Sequence, residues 1–187
     1  MVRYFLFLVL GLLAACAGPG ANVTEILLPR GDVRDFSLEA RFSVTQESER
    51  HSGRLSWRHS AAGVDELQIA SPFGQVLADI RIDSQRARLV ASDRRVFEAA
   101  DAQQLMHEVL GYPLPIDRLS AWVLARAGER ARVQPDGLGR PQSIEEDDWS
   151  ISYEYEQAAT DALPALMTVT RKGGVELRLR VEEWRTP

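Results

Sequence analysis

From Phe36 onward the chain alternates. Phe36, Leu38, Ala40, Phe42 and Val44 fall on one side of an extended segment, and Ser37, Glu39, Arg41 and Ser43 on the other, the two-residue period of a half-buried strand. The period returns at Leu55 and Trp57, at Leu67 and Ile69, along Val76, Ala78, Ile80 and Ile82, along Ala87, Leu89 and Ala91, and briefly in RRVFEA, residues 94–99. It resumes with Trp149, Ile151, Tyr153 and Tyr155, with Leu166, Thr168 and Thr170, and with Val175, Leu177, Leu179 and Val181. Gly173 and Gly174 predict a two-residue hairpin turn before the last of these. Ser71-Pro72-Phe73-Gly74 has the residues of a type I turn, with Ser first, Pro second and Gly fourth. Its third position holds an aromatic ring that projects from the loop.

One stretch breaks the alternation. Ala102, Leu105, Met106, Val109 and Leu110 recur at three and four residues, with Asp101 as N-cap and Gly111 just past the end, which predicts a helix. After Tyr112-Pro113-Leu114-Pro115 a second short helix carries Leu119, Trp122 and Val123 on one face. The plan is about six strands, two helices, then four or five strands: a mainly β, α+β domain. Strands apolar on one side need a second sheet or closure toward a barrel, and two helices arriving together can cover an opening. A curved antiparallel sheet with a helical lid follows. Its inner face is either a filled core or an apolar cavity, because alternation serves both.

The N-terminus changes the compartment. Arg3, the apolar run Tyr4–Ala14 and small residues after it make a secretory signal, and the run is shorter than the about 20 residues that span a bilayer. Leu13-Ala14-Ala15-Cys16 reads as a bacterial lipobox, which makes residues 1–15 a signal peptide and Cys16 the lipid-bearing first residue. Cys16 is the only cysteine, so no disulfide forms within the chain and lipidation accounts for a single secreted thiol. Residues 16–35, rich in Gly, Pro, Asn and Asp, form a tether. Loss of Arg3 moves the net charge from -5 to -6, a balance that argues against nucleic acid, whose binding rests on basic patches.

No catalytic or metal motif emerges. His51, His59 and His107 are scattered without ligand spacing, no G-x-S-x-G elbow occurs, and no phosphate loop is present. The acidic run Glu145-Glu146-Asp147-Asp148 reads as a solvated hairpin turn, and Asp136–Arg140 as another turn. Trp57, Trp122, Trp149 and Trp184 are core aromatics or walls of an apolar ligand site.

The segments GRLSW (53–57), SPFGQ (71–75), ADAQQLMHEVLGYPLPIDRLSAWVLA (100–125), GRPQSI (139–144), WSISYEY (149–155), LPALMTV (163–169) and VELRLRVEEW (175–184) run in order through the body. Together they resemble the LolB family of outer-membrane lipoprotein receptors. The resemblance implies, for residues 36–187, an incomplete antiparallel β-barrel of about 10–11 strands with a helical lid over an apolar cavity. It implies a non-enzyme without cofactor or metal. A soluble periplasmic, LolA-like carrier would deliver acylated lipoproteins, whose acyl chains the cavity would hold. The protein, monomeric and anchored through Cys16 facing the periplasm, would then insert them into the inner leaflet of the outer membrane. The candidate cavity and lid residues are Phe42, Leu55, Trp57, Leu105, Met106, Val109, Trp122, Trp149, Ile151 and Leu177. Phe73, with Pro72 and Gly74, matches the family's protruding apolar loop, where Leu is usual. The family pattern has a helix ahead of the first strand, which 17–35 is too broken to supply, and a Gly where this chain has Ala125. The other reading is a structural or assembly lipoprotein that uses the half-barrel as a docking surface without binding lipid.

Overall fold

The computed structural model describes residues 30–187, apart from 47, 111–114 and 172–173. The signal segment, Cys16 and most of the tether lie outside the described residues. Eleven strands form one antiparallel sheet: β1 (Phe36–Gln46), β2 (Glu49–Ser60), β3 (Val64–Ala70), β4 (Val76–Ile82), β5 (Ala87–Ala91), β6 (Val96–Ala99), β7 (Arg132–Pro135), β8 (Pro141–Glu146), β9 (Trp149–Glu154), β10 (Leu166–Arg171) and β11 (Val175–Arg185). Helices α1 (Ala102–Leu110) and α2 (Ile116–Val123) separate β6 from β7.

The sheet order is β6-β5-β4-β3-β2-β1-β11-β10-β9-β8-β7. β1 and β11 pair at the centre, while the four-residue strands β6 and β7, each paired on one side only, form the two edges. The sheet is therefore open, an incomplete barrel. The chain passes from one edge to the other through α1 and α2, so the helices lie across the concave face and bury their apolar sides there.

Alternation explains most of the core. Phe36, Leu38 and Ala40 of β1 are buried, as are Leu55 and Trp57 of β2, Leu67 of β3, Ile80 of β4, Ala87 and Leu89 of β5, and Leu177 and Leu179 of β11. In β10 the expectation fails. Met167 and Val169, not Thr168 and Thr170, complete the buried row, because Met167 pairs with Leu179 and Val169 with Leu177 on β11. The neighbouring strand's register decided between two phases that each begin on an apolar residue.

The helix ends follow local rules. The Asp101 carboxylate accepts the Gln104 amide at 2.8 Å, capping α1. α2 closes with amides of Ala125 and Arg126 donating to the carbonyls of Trp122 and Ala121, a Schellman arrangement with Ala125 at φ 52 where Gly is the easy choice. Arg126 then reaches back to the carbonyls of Arg30 at 2.7 Å and Val33 at 2.5 Å, and Val33 is fully buried. Packing of the body thus extends into the last residues of the tether.

Four hairpins use one loop form, three residues closed by an amide-to-carbonyl bond with the third residue left-handed. That position is Gly63 between β2 and β3, Gly74 between β3 and β4, Gly139 between β7 and β8, and Arg94 between β5 and β6. Gly174 also has positive φ, but Arg171 pairs with Val175, so three residues and not the expected two connect β10 to β11; Gly173 lies outside the described residues.

Candidate functional site

The interior candidates drawn from the sequence come together. Leu55, Trp57, Leu105, Met106, Trp122, Ile151 and Leu177 are buried in one continuous apolar cluster, and Phe42, Val109 and Trp149 pack against it half-buried. α1 contributes Leu105 and Met106, and α2 contributes Ile116, Leu119, Trp122 and Val123. In this arrangement lid side chains occupy the concave face.

The cover is uneven, and its gradient has a direction. Along β1 burial gives way from Ala40 to Phe42 and Val44; along β3, from Leu67 to Ile69; along β4, from Ile80 to Ala78 and Val76; along β5, from Leu89 to Ala91; along β6, from Ala99 to Phe97. Antiparallel pairing sets these half-buried positions side by side, with Ile69 opposite Ala78 and Ala78 opposite Ala91. They all lie toward the end that carries the β3–β4 loop. The apolar face therefore has a thinly covered margin, rimmed by Phe42, Ile69, Ala78, Ala91 and Phe97.

At that end stands Phe73, 99% exposed. The loop around it is well made: the Ser71 amide donates to the Gln75 carbonyl at 2.8 Å, the Gly74 amide to the Ser71 carbonyl at 2.9 Å, and the Gln75 amide to the Ser71 hydroxyl at 3.2 Å. Gly74 at φ 89 completes the turn, a backbone setting that favours glycine. Gly53 of β2 backs the loop's base, since a Cβ there would collide with the Ala70 carbonyl oxygen. The loop's own hydrogen bonds thus hold a large apolar ring that no described residue covers. Val76 and Leu77, 38% and 41% exposed, continue the apolar surface beside it.

Two polar networks hold the inner face together. Trp57 Nε1–H donates to Asp65 Oδ1 at 2.7 Å, His59 Nδ1 lies 2.8 Å from the same oxygen, and the His59 ring stacks on Phe36 at 5.0 Å. Asp65 thereby satisfies the one polar atom of a fully buried indole.

The second network corrects the sequence reading of the acidic run. Glu146 is largely buried and clamps the lid: Trp122 Nε1–H donates to its Oε2 at 3.0 Å, the Gly128 amide donates to the same oxygen at 3.1 Å, and Arg118 Nη2 lies 2.5 Å from Oε1. Burial pushes the carboxyl pKa up, but the bonds from Trp122 and Gly128 and the Arg118 charge outweigh it, leaving it below its ordinary value. Gly128 leaves no room for a side chain against this carboxylate. Its neighbours behave as a surface turn does, Glu145 pairing with Arg132 and Asp148 lying near Arg171. Only the indole nitrogen of Trp122, a donor in need of an acceptor, could have hinted at Glu146 in the sequence.

Satisfaction is not complete: among the described residues the buried Arg118 Nε has no hydrogen-bond partner, and neither does Tyr153. Its hydroxyl is buried without a hydrogen-bond partner among the described residues, and burial pushes its pKa far above the usual phenol value. Tyr153→Phe should raise stability by about 1 kcal/mol, because it removes a desolvated hydroxyl that forms no compensating bond. A urea unfolding series reads this directly. A lower midpoint in the variant would mean that the hydroxyl is hydrogen-bonded in the folded protein.

Comparison with known proteins agrees with this architecture. A family profile described as outer membrane lipoprotein LolB matches residues 34–184. The outer-membrane lipoprotein LolB of Dechloromonas aromatica is 38% identical over 190 residues, covering 98% of this chain and 97% of the relative. The protein of the same name from an Azoarcus species is 34% identical over 175 residues, covering 92% and 89%. Among solved structures, a LolA superfamily protein of Nitrosomonas europaea shares the fold, with a TM-score of 0.54 at 12% identity, covering 87% of this chain and 89% of that one.

Proposed function

The chain belongs to the LolB family of outer-membrane lipoproteins, and on that premise we propose that it receives acylated lipoproteins from a soluble periplasmic carrier and inserts them into the outer membrane. In this reading residues 1–15 are removed, Cys16 carries the lipid anchor, residues 16–35 are the tether and residues 36–187 are the lipoprotein-binding body. One observation carries the reading: an apolar concave face whose cover thins toward the end where Phe73 stands exposed.

Magnitudes make the exchange workable. An acyl chain of about fifteen methylenes, at about 0.8 kcal/mol each, represents on the order of 12 kcal/mol in water. Lifting Leu105, Met106, Leu119, Trp122 and Val123 off the sheet exposes five side chains at about 1.5–3 kcal/mol each, on the order of 10 kcal/mol. The two quantities are of one size. Cargo can therefore replace the lid's side chains without nucleotide hydrolysis, and the bilayer, which leaves the lid free to close again, is the lower state. The half-buried rim gives the chains a place to start. Phe42, Val109 and Trp149 are met first, and Leu55, Trp57 and Ile151 only after the lid has lifted.

The test is transfer of a client lipoprotein from its purified carrier complex to this protein. Cargo is expected to pass to the body and, when vesicles are added, onward. Cargo that stays with the carrier while the fold is intact would refute the proposal. The filled interior favours one other reading, a docking lipoprotein that binds no lipid. That reading requires an apolar fluorescent probe to show no saturable binding to the body, whereas the receptor reading requires binding competed by fatty acid.

A further inference from the structure

The loop that carries Phe73 does not stand alone. On its β2 side Arg54 is the direct partner of Ala70, one residue before the loop, and it is exposed with no carboxylate within 4 Å among the described residues. On its β4 side the β5–β6 loop lies against Leu77, whose carbonyl accepts the Ser92 amide at 2.8 Å. That loop ends in Arg94 and Arg95. Arg95 is matched by Asp93 at 2.6 Å, but Arg94 is exposed and has no carboxylate partner among the described residues. The acidic turn Asp147-Asp148 at the same end of the sheet belongs to the β8–β9 hairpin, on the far side of β1, β11 and β10.

Arg94 also breaks a rule that this molecule otherwise keeps. It sits at φ 69 in the loop position that is Gly63, Gly74 and Gly139 in the three hairpins of the same form. A left-handed backbone costs a residue with a Cβ about 1–2 kcal/mol, so the local conformation favours glycine and the arginine is not there for the turn. It is exposed, in the loop whose Ser92 amide bonds the carbonyl of exposed Leu77.

We propose that Arg54 and Arg94 bracket Phe73 as headgroup contacts, so that this end of the sheet engages a bilayer bearing anionic phospholipids, the ring entering the acyl region while the two guanidiniums bind phosphates. This rests on the reading of Phe73 as the loop that meets the membrane. The chemistry is complementary: guanidinium forks bind phosphate oxygens, and exposed Val76 and Leu77 of β4 lie between the two charges in the strand order. In a chain of net charge -5, an anionic surface would otherwise repel the body. The arginines thus orient it with the thinly covered rim toward the leaflet.

The test uses the mature lipidated protein reconstituted into vesicles, with Gln75→Cys carrying an environment-sensitive dye and brominated lipids as quenchers. With phosphatidylglycerol present, the dye should be quenched, and Arg54→Ser with Arg94→Asn should lower the inserted-to-free ratio about 25-fold, about fivefold for each charge. Asn tolerates the left-handed backbone, and both sites are exposed, so the variant is expected to fold. In phosphatidylcholine alone, or at high salt, the difference between the two proteins should vanish. Equal quenching of both proteins with phosphatidylglycerol, or quenching indifferent to lipid charge, overturns the arginine proposal and leaves the Phe73 reading standing. A dye unquenched in every vesicle overturns both.

Discussion

Phe73→Glu should abolish delivery of cargo into membranes while leaving receipt of cargo from the carrier unchanged. The side chain is 99% exposed and its loop is held by bonds of Ser71, Gly74 and Gln75, so folding should change by no more than about 0.5 kcal/mol. What changes is the transfer of position 73 into the leaflet. Burying the ring is worth about 1.5–3 kcal/mol, and a carboxylate in its place adds a desolvation cost. Together they exceed about 3 kcal/mol, roughly a hundredfold in the population of the inserted loop. The lipid anchor proposed at Cys16 would be far stronger than this, so the variant is expected to stay on the membrane. The measurement pairs two rates for one preparation: carrier to protein, then protein to vesicles. Normal vesicle insertion by Phe73→Glu would remove the loop from the mechanism.

The second large effect is expected at the lid. Glu146→Ala strips the acceptor from Trp122 Nε1–H and the Gly128 amide and leaves the Arg118 guanidinium without its ion-pair partner, at a cost of about 2–4 kcal/mol. The loss should be local before it is global. Hydrogen exchange of α2 amides should accelerate, and binding of an apolar probe should rise as the concave face opens. Because the carboxyl's pKa is lowered on folding from its ordinary value of 4.5, its contribution is present above that value and is lost as pH falls through the folded value. Wild-type α2 protection should therefore fall at acid pH below that range, and Glu146→Gln should show less of this fall. Unchanged α2 exchange in Glu146→Ala would show that lid closure is carried by apolar contacts alone.

Much of the site was legible residue by residue. The turn at Ser71–Gly74 was readable because its residues specify their own backbone, and the exposure of Phe73 follows from its place at the tip of a short hairpin. The helix start at Asp101 was equally local. Glu146 was not readable, since its burial depends on Trp122 and Arg118, which stand more than twenty residues earlier and land on β8 only when the lid crosses the sheet. Met167 and Val169 were misassigned for a related reason: LMTVTR supports either face inward until β11 pairs with it. The gradient of cover was invisible too, because half-buried Phe42 and buried Leu38 occupy equivalent places in one alternating pattern.

The amino-acid sequence alone determined the strand period, both helices and the turn chemistry, all properties of neighbours within a few residues of one another. The tertiary structure decided what is non-local: that β6 and β7 stay apart, that the lid lies across the concave face under a Glu146 clamp, and that its cover thins beside Phe73. The physical reason is that register and lid placement are settled by contacts between segments far apart in the chain, which no window of local sequence contains.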